Sequence, residues 1–188
     1  MQLTRSPFYY IRHGQTDWNA RKTCVGQVDV PLNGNGIAQA KVAAPVVQAL
    51  NPSAIFYSPL ARARLTASIV GDAARVSLIP EPGLREVCLG IKEGQPEDDP
   101  SDDFVSAWLA GANIEGAETF SLFRDRVITA VNRCLSYASA APPLIVAHSG
   151  VFMALASACS SQIEGIEHCR PYHFQPSEAG WLIRSMPA

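Results

Sequence analysis

The sequence predicts an α/β fold, with helices packed on a largely parallel sheet. Two observations carry this. Three short β-prone runs, FYYI (8–11), AIFY (54–57) and PLIVA (143–147), each stop abruptly in polar or turn-forming residues. Between them lie longer stretches with helical apolar spacing, so strands alternate with helices as in parallel βαβ units.

The first strand runs into Arg12, His13 and Gly14. Next, Ile37, Ala40, Ala44, Val47 and Leu50 recur at helical spacing, with Pro45 expected to kink or split that helix. The second strand is followed by Ser58 and Pro59, then by a helix whose Ala63, Thr66, Ala67 and Val70 face a core. EGQPEDDPSDD (93–103) reads as a loop. DFVSAWLAG (103–111) reads as a short helix with Phe104 and Trp108 inward and Leu109 as a third inward candidate. Phe120, Phe123, Val127, Val131, Cys134 and Leu135 mark the clearest amphipathic helix, which ends before Pro142 and Pro143. VFMALASA (151–158) is apolar throughout and reads as a buried helix. GWLIR (180–184) adds a last strand, expected antiparallel at an edge.

Bulk properties narrow the class. The 188 residues suit a single domain, 1–188, and 47% of them are hydrophobic, which excludes a disordered chain. A net charge of −2 leaves no basic footprint for nucleic acid. No apolar stretch approaches the roughly 20 residues of a membrane helix, and the N-terminus lacks the apolar core of a signal peptide. Cys24, Cys88, Cys134, Cys159 and Cys169 are scattered and odd in number, which argues against a disulfide framework and for a reducing, cytoplasmic setting. Cys24 and Cys88 are read as small buried hydrophobes. His168, Cys169 and His173, with Cys159 upstream, lack the spacing of structural zinc sites and are read as structural. Trp18, Trp108 and Trp181 are read as packing residues.

In open α/β sheets ligands bind beyond the carboxyl ends of the strands. Arg12, His13, Arg62 and His148 all lie at or just past such ends, so four residues far apart in sequence are expected to converge. Two arginines and two histidines suit a dianionic tetrahedral group, because the planar guanidinium fork matches phosphate oxygens and stays charged. Asn19 adds a neutral donor, and Gly14 allows a tight turn and close approach. Helix N-termini after Ser58-Pro59 and Ser149-Gly150 add backbone donors. A histidine attacking phosphorus must be neutral, and the neighbouring cations keep His13 so. The leaving alkoxide needs a proton, for which Glu86 in GLREVCLG is the candidate.

The segment 86–123 holds nine acids and one base, Lys92, a net charge of −8; the rest carries fourteen Lys/Arg and eight acids, net +6. An acidic, loop-like insertion over about 91–118 is expected to act as a lid. Its charge should repel polyphosphorylated substrates, which favours one phosphate on a neutral or cationic remainder.

Five segments in order resemble the histidine phosphatase superfamily, the phosphoglycerate-mutase-like fold. RHGQTDWN (12–19) is similar to its R-H-G-[EQ]-[ST]-x-x-N motif and GQVDVPLNGNG (26–36) to its G-x-x-D-x-P-L-[ST]-x-x-G segment. YSPLARARLTA (57–67), LREVCLG (84–90) and VAHSG (146–150) resemble three further motifs, and the match spans nearly the whole chain. The resemblance implies a three-layer α/β/α sandwich with a lid-like insertion. It implies His13 as the nucleophile that becomes phosphohistidine, and Arg12, Arg62, His148 and Asn19 as phosphate ligands. Glu86 would be the proton donor, and Gly26 and Gln27 would border the substrate. It implies a phosphomonoester hydrolase of the histidine acid type, a small-molecule phosphomonoester as partner, and no metal or organic cofactor. The alternative is phosphoglycerate mutase-type transfer between hydroxyls. Two departures bear on that choice. Lys92 in GIKEG stands where small family phosphatases often have an aromatic residue. Leu109 and Ala110 follow Trp108 where the mutases carry an arginine pair, and no arginine occurs between Arg85 and Arg124. Hydrolysis is therefore favoured over mutase chemistry.

Overall fold

A computed structural model describes residues 1–97, 104–137, 141–161 and 165–187. In chain order the elements are β1 (Phe8–Arg12), α1 (Asp17–Ala20), α2 (Gly34–Leu50), β2 (Ile55–Tyr57), α3 (Ala61–Ala74) and β3 (Leu78–Pro80). There follow α4 (Phe104–Leu109), α5 (Phe120–Tyr137), β4 (Leu144–Ala147), α6 (Ser149–Ala158), β5 (Pro171–Ser177) and β6 (Gly180–Ser185). Two short 3-10 turns, Pro82–Leu84 and Gly90–Lys92, separate β3 from α4. Among the described residues no helix is long and apolar enough to cross a membrane.

The sheet order is β3-β2-β4-β1-β5-β6. The first four strands are parallel; β5 and β6 pair antiparallel. Register aligns the carboxyl ends: Arg12 lies opposite Ala147, and Tyr57 opposite Val146. The ladder then continues one residue past each strand, with His13 N–H bonding Ala147 O (3.0 Å) and Ser58 N–H bonding Val146 O (3.0 Å).

Alternation along the central strands builds two cores. Leu144 and Val146 join Ile11 and Ile55 beneath α2 and α3, packed on Ala40, Val47, Ala63 and Val70. Ile145 and Ala147 face the other way with Tyr10 and Phe56, against Phe123, Val127, Phe152 and Leu155 of α5 and α6. The result is three layers, helices on both faces of one sheet. Each wholly buried side chain of this size contributes about 1.5–3 kcal/mol. The sandwich is therefore held by the central strands that also deliver the site.

Four elements differ from expectation. Pro45 does not split α2, which runs unbroken from Gly34 to Leu50. Pro45 is exposed, so the missing amide falls on the solvent side, where water can satisfy the freed carbonyl. Leu109 is 41% exposed rather than inward, and Trp108 takes the core position at 2%. Strand β3 is a three-residue edge too short to show a period. Strand β5 is disguised by Pro171 and Pro176, although Pro171 opens the strand, where proline is tolerated. Its buried Tyr172 and Phe174 keep the two-residue period, and Phe174 stacks on Phe8 with centroids 4.5 Å apart. The expected final strand is present as β6, antiparallel at the edge. Of the loop expected over 93–103, residues 98–103 lie outside the described residues.

Gly14 has a packing role beyond the expected turn. Its φ is not positive, but a Cβ there would collide with the Gly36 carbonyl, while one at Gly36 would collide with the Gln15 carbonyl. The two glycines let the turn after His13 dock backbone to backbone on the start of α2.

Candidate active site

His13 follows β1, His148 follows β4 as the N-cap of α6, and Arg62 sits in the first turn of α3. Parallel register brings all three to one sheet edge, together with Arg12 at the end of β1. Glu86 arrives from the loop after the first 3-10 turn.

His13 is 3% exposed, and its Nδ1 lies 2.7 Å from the Gly14 carbonyl. A carbonyl can only accept, so Nδ1 carries the hydrogen and the neutral ring keeps its lone pair on Nε2. Burial lowers the His13 pKa well below 6.5, and the charges of Arg62 and Arg12 lower it further. His148 is wholly buried, with its ring centroid 5.1 Å from that of His13. Its Nε2 lies 2.7 Å from Ser58 Oγ, and its carbonyl accepts the Tyr10 hydroxyl at 2.6 Å. Burial also lowers the His148 pKa well below 6.5, with Arg62 and His13 adding to it.

Arg62 is 1% exposed. Its Nη1 donates to Val28 O (2.8 Å) and its Nη2 to Gly26 O (2.7 Å). Arg12 Nη1 donates to Ile166 O at 3.2 Å. Burial lowers the pKa of both guanidiniums, which nonetheless remain cations near neutrality. Arg12 Nε, Arg62 Nε and His148 Nδ1 are buried without hydrogen-bond partners. Each such group costs about 1–3 kcal/mol, so this cluster of cations and imidazoles holds three donors that an anion could satisfy.

Both carboxylate oxygens of Glu86 are held: Oε1 accepts from Val87 N and Oε2 from Gly150 N, each at 3.0 Å. Its carbonyl accepts from Gln27 Nε2 (3.0 Å) and Arg126 Nη2 (3.3 Å).

A cavity of about 370 Å³ opens on this cluster, and Arg12, His13, Asn19, Gly26, Arg62 and Glu86 line it. The volume suits a small molecule. His148, buried with its ring beside that of His13, is not among the lining residues. Asn19 lines the cavity while its Oδ1 accepts from Thr16 N (3.1 Å) and Thr16 Oγ1 (3.0 Å) in a capping box, which leaves Nδ2 as its donor. Gly26 lines the cavity at φ 52° and holds Arg62 through its carbonyl. Gln27 does not line it; its side chain anchors the Glu86 backbone instead.

Several contributors escaped the sequence reading. Ser58, expected only to precede a helix, hydrogen-bonds His148. His168, read as structural, donates from Nδ1 to the His13 carbonyl (2.8 Å), and burial and Arg12 push its pKa down to about 4. Arg126 grips Glu118 with Nε (2.8 Å) and Nη2 (2.7 Å) and reaches the carbonyls of Gly83, Arg85 and Glu86. The available signals were a serine at a strand end, a histidine near a bridging loop, and an arginine on the polar side of α5.

The insertion forms part of the cavity wall. Phe104, Val105 and Trp108 line it, and Trp108 Nε1 donates to Glu118 O at 2.7 Å. The Lys92 ammonium sits 5.7 Å over the Phe104 ring, so this departure from the aromatic pattern packs on an aromatic of the insertion. Cys24 is buried and lines the cavity, whereas Cys88 is half-buried with Sγ near Gly116 O, against the expectation of a buried hydrophobe.

The family model of the histidine phosphatase superfamily (branch 1) matches residues 8–183. A probable phosphoglycerate mutase, GpmB, of Serratia proteamaculans (strain 568) is 34% identical over 146 residues, covering 74% of this chain and 68% of that protein. A mycobacterial glucosyl-3-phosphoglycerate phosphatase in complex with VO3 has a TM-score of 0.83 at 26% identity, covering 97% of this chain and 98% of that one. A phosphoglycerate mutase from Thermus thermophilus has a TM-score of 0.76 at 30% identity, covering 97% of this chain and 100% of that one. With the motif residues gathered at one sheet edge and the family match running almost end to end, this chain belongs to the histidine phosphatase superfamily.

Proposed function

We propose that the protein is a phosphomonoester hydrolase that works through a phosphohistidine on His13. The observation that carries this reading is the Nδ1 bond to Gly14 O, which leaves a lone pair on Nε2 beside two buried guanidiniums. Arg12 and Arg62 hold the phosphate oxygens, with Asn19 Nδ2 and His148 Nδ1 as further donors. His13 Nε2 attacks phosphorus, the ester P–O bond breaks, and Glu86 passes its proton to the leaving alkoxide. Glu86, now a carboxylate, takes a proton from water, which attacks phosphorus as the P–N bond breaks. Inorganic phosphate leaves, and both residues are restored. The cations stabilise the charge on the transferring phosphoryl group throughout.

Mutase-type transfer is the second reading, favoured by the names of several relatives. It needs cations for the carboxylate of a phosphoglycerate. The segment 86–123 that would supply them carries only Lys92. A screen of phosphomonoesters tests the proposal: a chelator leaves hydrolysis intact and His13→Ala abolishes it. Metal-dependent hydrolysis, or turnover that survives His13→Ala, contradicts it.

A further inference from the structure

Beyond the cluster of cations the cavity changes character. Val25, Val87, Leu89, Phe104, Val105, Trp108 and Met153 line most of the rest, with Cys24, Glu97, Ser149 and Gly150 beside them. The charged groups lining it among the described residues are Arg12 and Arg62, which act on His13, and the acids Glu86 and Glu97. Both lining cations therefore serve the phosphate end, and no lining cation is left for a second anionic group. Lys22 lies next to the lining, its carbonyl accepting from Glu97 N (2.8 Å), but is not itself part of it. Lys92 stands over the Phe104 ring and is not part of the lining. By sequence there is no Lys or Arg between Lys92 and Arg124, so the whole insertion beyond Lys92 is without one.

A carboxylate or second phosphate seated against this apolar wall would lose water and gain no partner, which is costly. An alkyl or aryl group there gains free energy for each methylene removed from water. We infer that the cavity selects phosphomonoesters of neutral, largely apolar alcohols and disfavours phosphoglycerates. This rests on the phosphomonoester reading above and narrows the neutral-or-cationic remainder expected from charge alone. The added determinant is the apolar side chains from the insertion, from the Val25 loop and from α6, where Met153 lies.

Non-hydrolysable ligands separate this inference from the chemistry. Titration calorimetry with methyl-, butyl- and hexylphosphonate should show affinity rising about two- to fourfold per methylene. 3-Phosphonopropionate, with a terminal carboxylate, should bind more weakly than propylphosphonate. Val105→Arg, at a position 50% exposed and lining the cavity, should flatten the alkyl series and strengthen 3-phosphonopropionate binding. A flat series in the unaltered protein, or tighter binding of the carboxylate ligand, overturns the inference. Hydrolysis of a phosphomonoester, and its loss in His13→Ala, is measured in parallel. A chain-length gain without hydrolysis upholds the apolar site and removes the catalytic reading. Hydrolysis with a flat series upholds the catalytic reading and removes the apolar site.

Discussion

Glu86 Oε2 accepts a hydrogen bond from Gly150 N at 3.0 Å, in the first turn of the helix that His148 caps. The carboxylate proposed to move a proton is thereby tied to the strand end that delivers the second histidine. The fit leaves no room for a side chain, because a Cβ at Gly150 would collide with Glu86 Oε1.

Gly150→Ala should therefore displace Glu86 while the surrounding sheet stays folded. An ångström of misplacement at a reacting group costs on the order of a hundredfold in rate. We expect kcat to fall by about that factor, with the melting temperature lowered by a few degrees. An unchanged kcat would show that the Glu86–Gly150 contact does not set the position of the acid.

The pH dependence follows from the buried imidazoles. His13 must be neutral to attack, and its pKa lies well below 6.5 because of burial, Arg62 and Arg12. The acidic limb of kcat/KM should therefore fall well below pH 6.5, with activity retained through mildly acidic conditions. A limb at or above 6.5 contradicts the environment described for His13.

Stability should begin to fall at a higher pH than the catalytic limb. His13 and His148 have folded-state pKa values below the unfolded value near 6.5. Above pH 6.5 both are neutral in either state and contribute no slope. Below it the unfolded chain binds protons that the folded chain refuses, so stability falls by up to about 1.4 kcal/mol per pH unit for each. Denaturant unfolding from pH 7 to 5 should show that decline, and His148→Asn should reduce its slope.

Ser58 meets His148 at Nε2, so the direction in which its hydroxyl points sets which ring nitrogen carries the hydrogen. If Ser58 donates its hydroxyl to Nε2, Nδ1 becomes the donor, and that atom has no protein partner. Ser58→Ala should cost about tenfold in kcat/KM, and a double-mutant cycle with His148→Asn should be strongly non-additive. Additive losses would place Ser58 outside this pair.

Arg126 acts through the backbone of Glu86. Its planar fork serves Glu118 and three carbonyls at once, which an ammonium cannot reproduce. Arg126→Lys should lower kcat with little change in KM and cost about 1–2 kcal/mol of stability. A fall in stability alone, with kcat unchanged, would reduce Arg126 to a structural role.

The legible parts of the site lie where local pattern and topology coincide. Arg12, His13 and His148 abut apolar strands, so the strand ends alone predict their meeting, and Arg62 follows from the turn after β2. Ser58, His168 and Arg126 were opaque because their roles come from partners 90, 155 and 40 residues away. Strand β5 hid behind its prolines, although Tyr172 and Phe174 keep the period. Gln27 shows the limit of motif position, since a residue beside the cavity in sequence faces the Glu86 carbonyl in space.

The central claim is a covalent bond between His13 and phosphorus, and rapid quenching of the enzyme with a radiolabelled phosphomonoester tests it most directly. The account predicts a transient, acid-labile and base-stable label on the peptide that carries His13, absent from His13→Ala. Turnover at full rate with no label on that peptide at any quench time would contradict it.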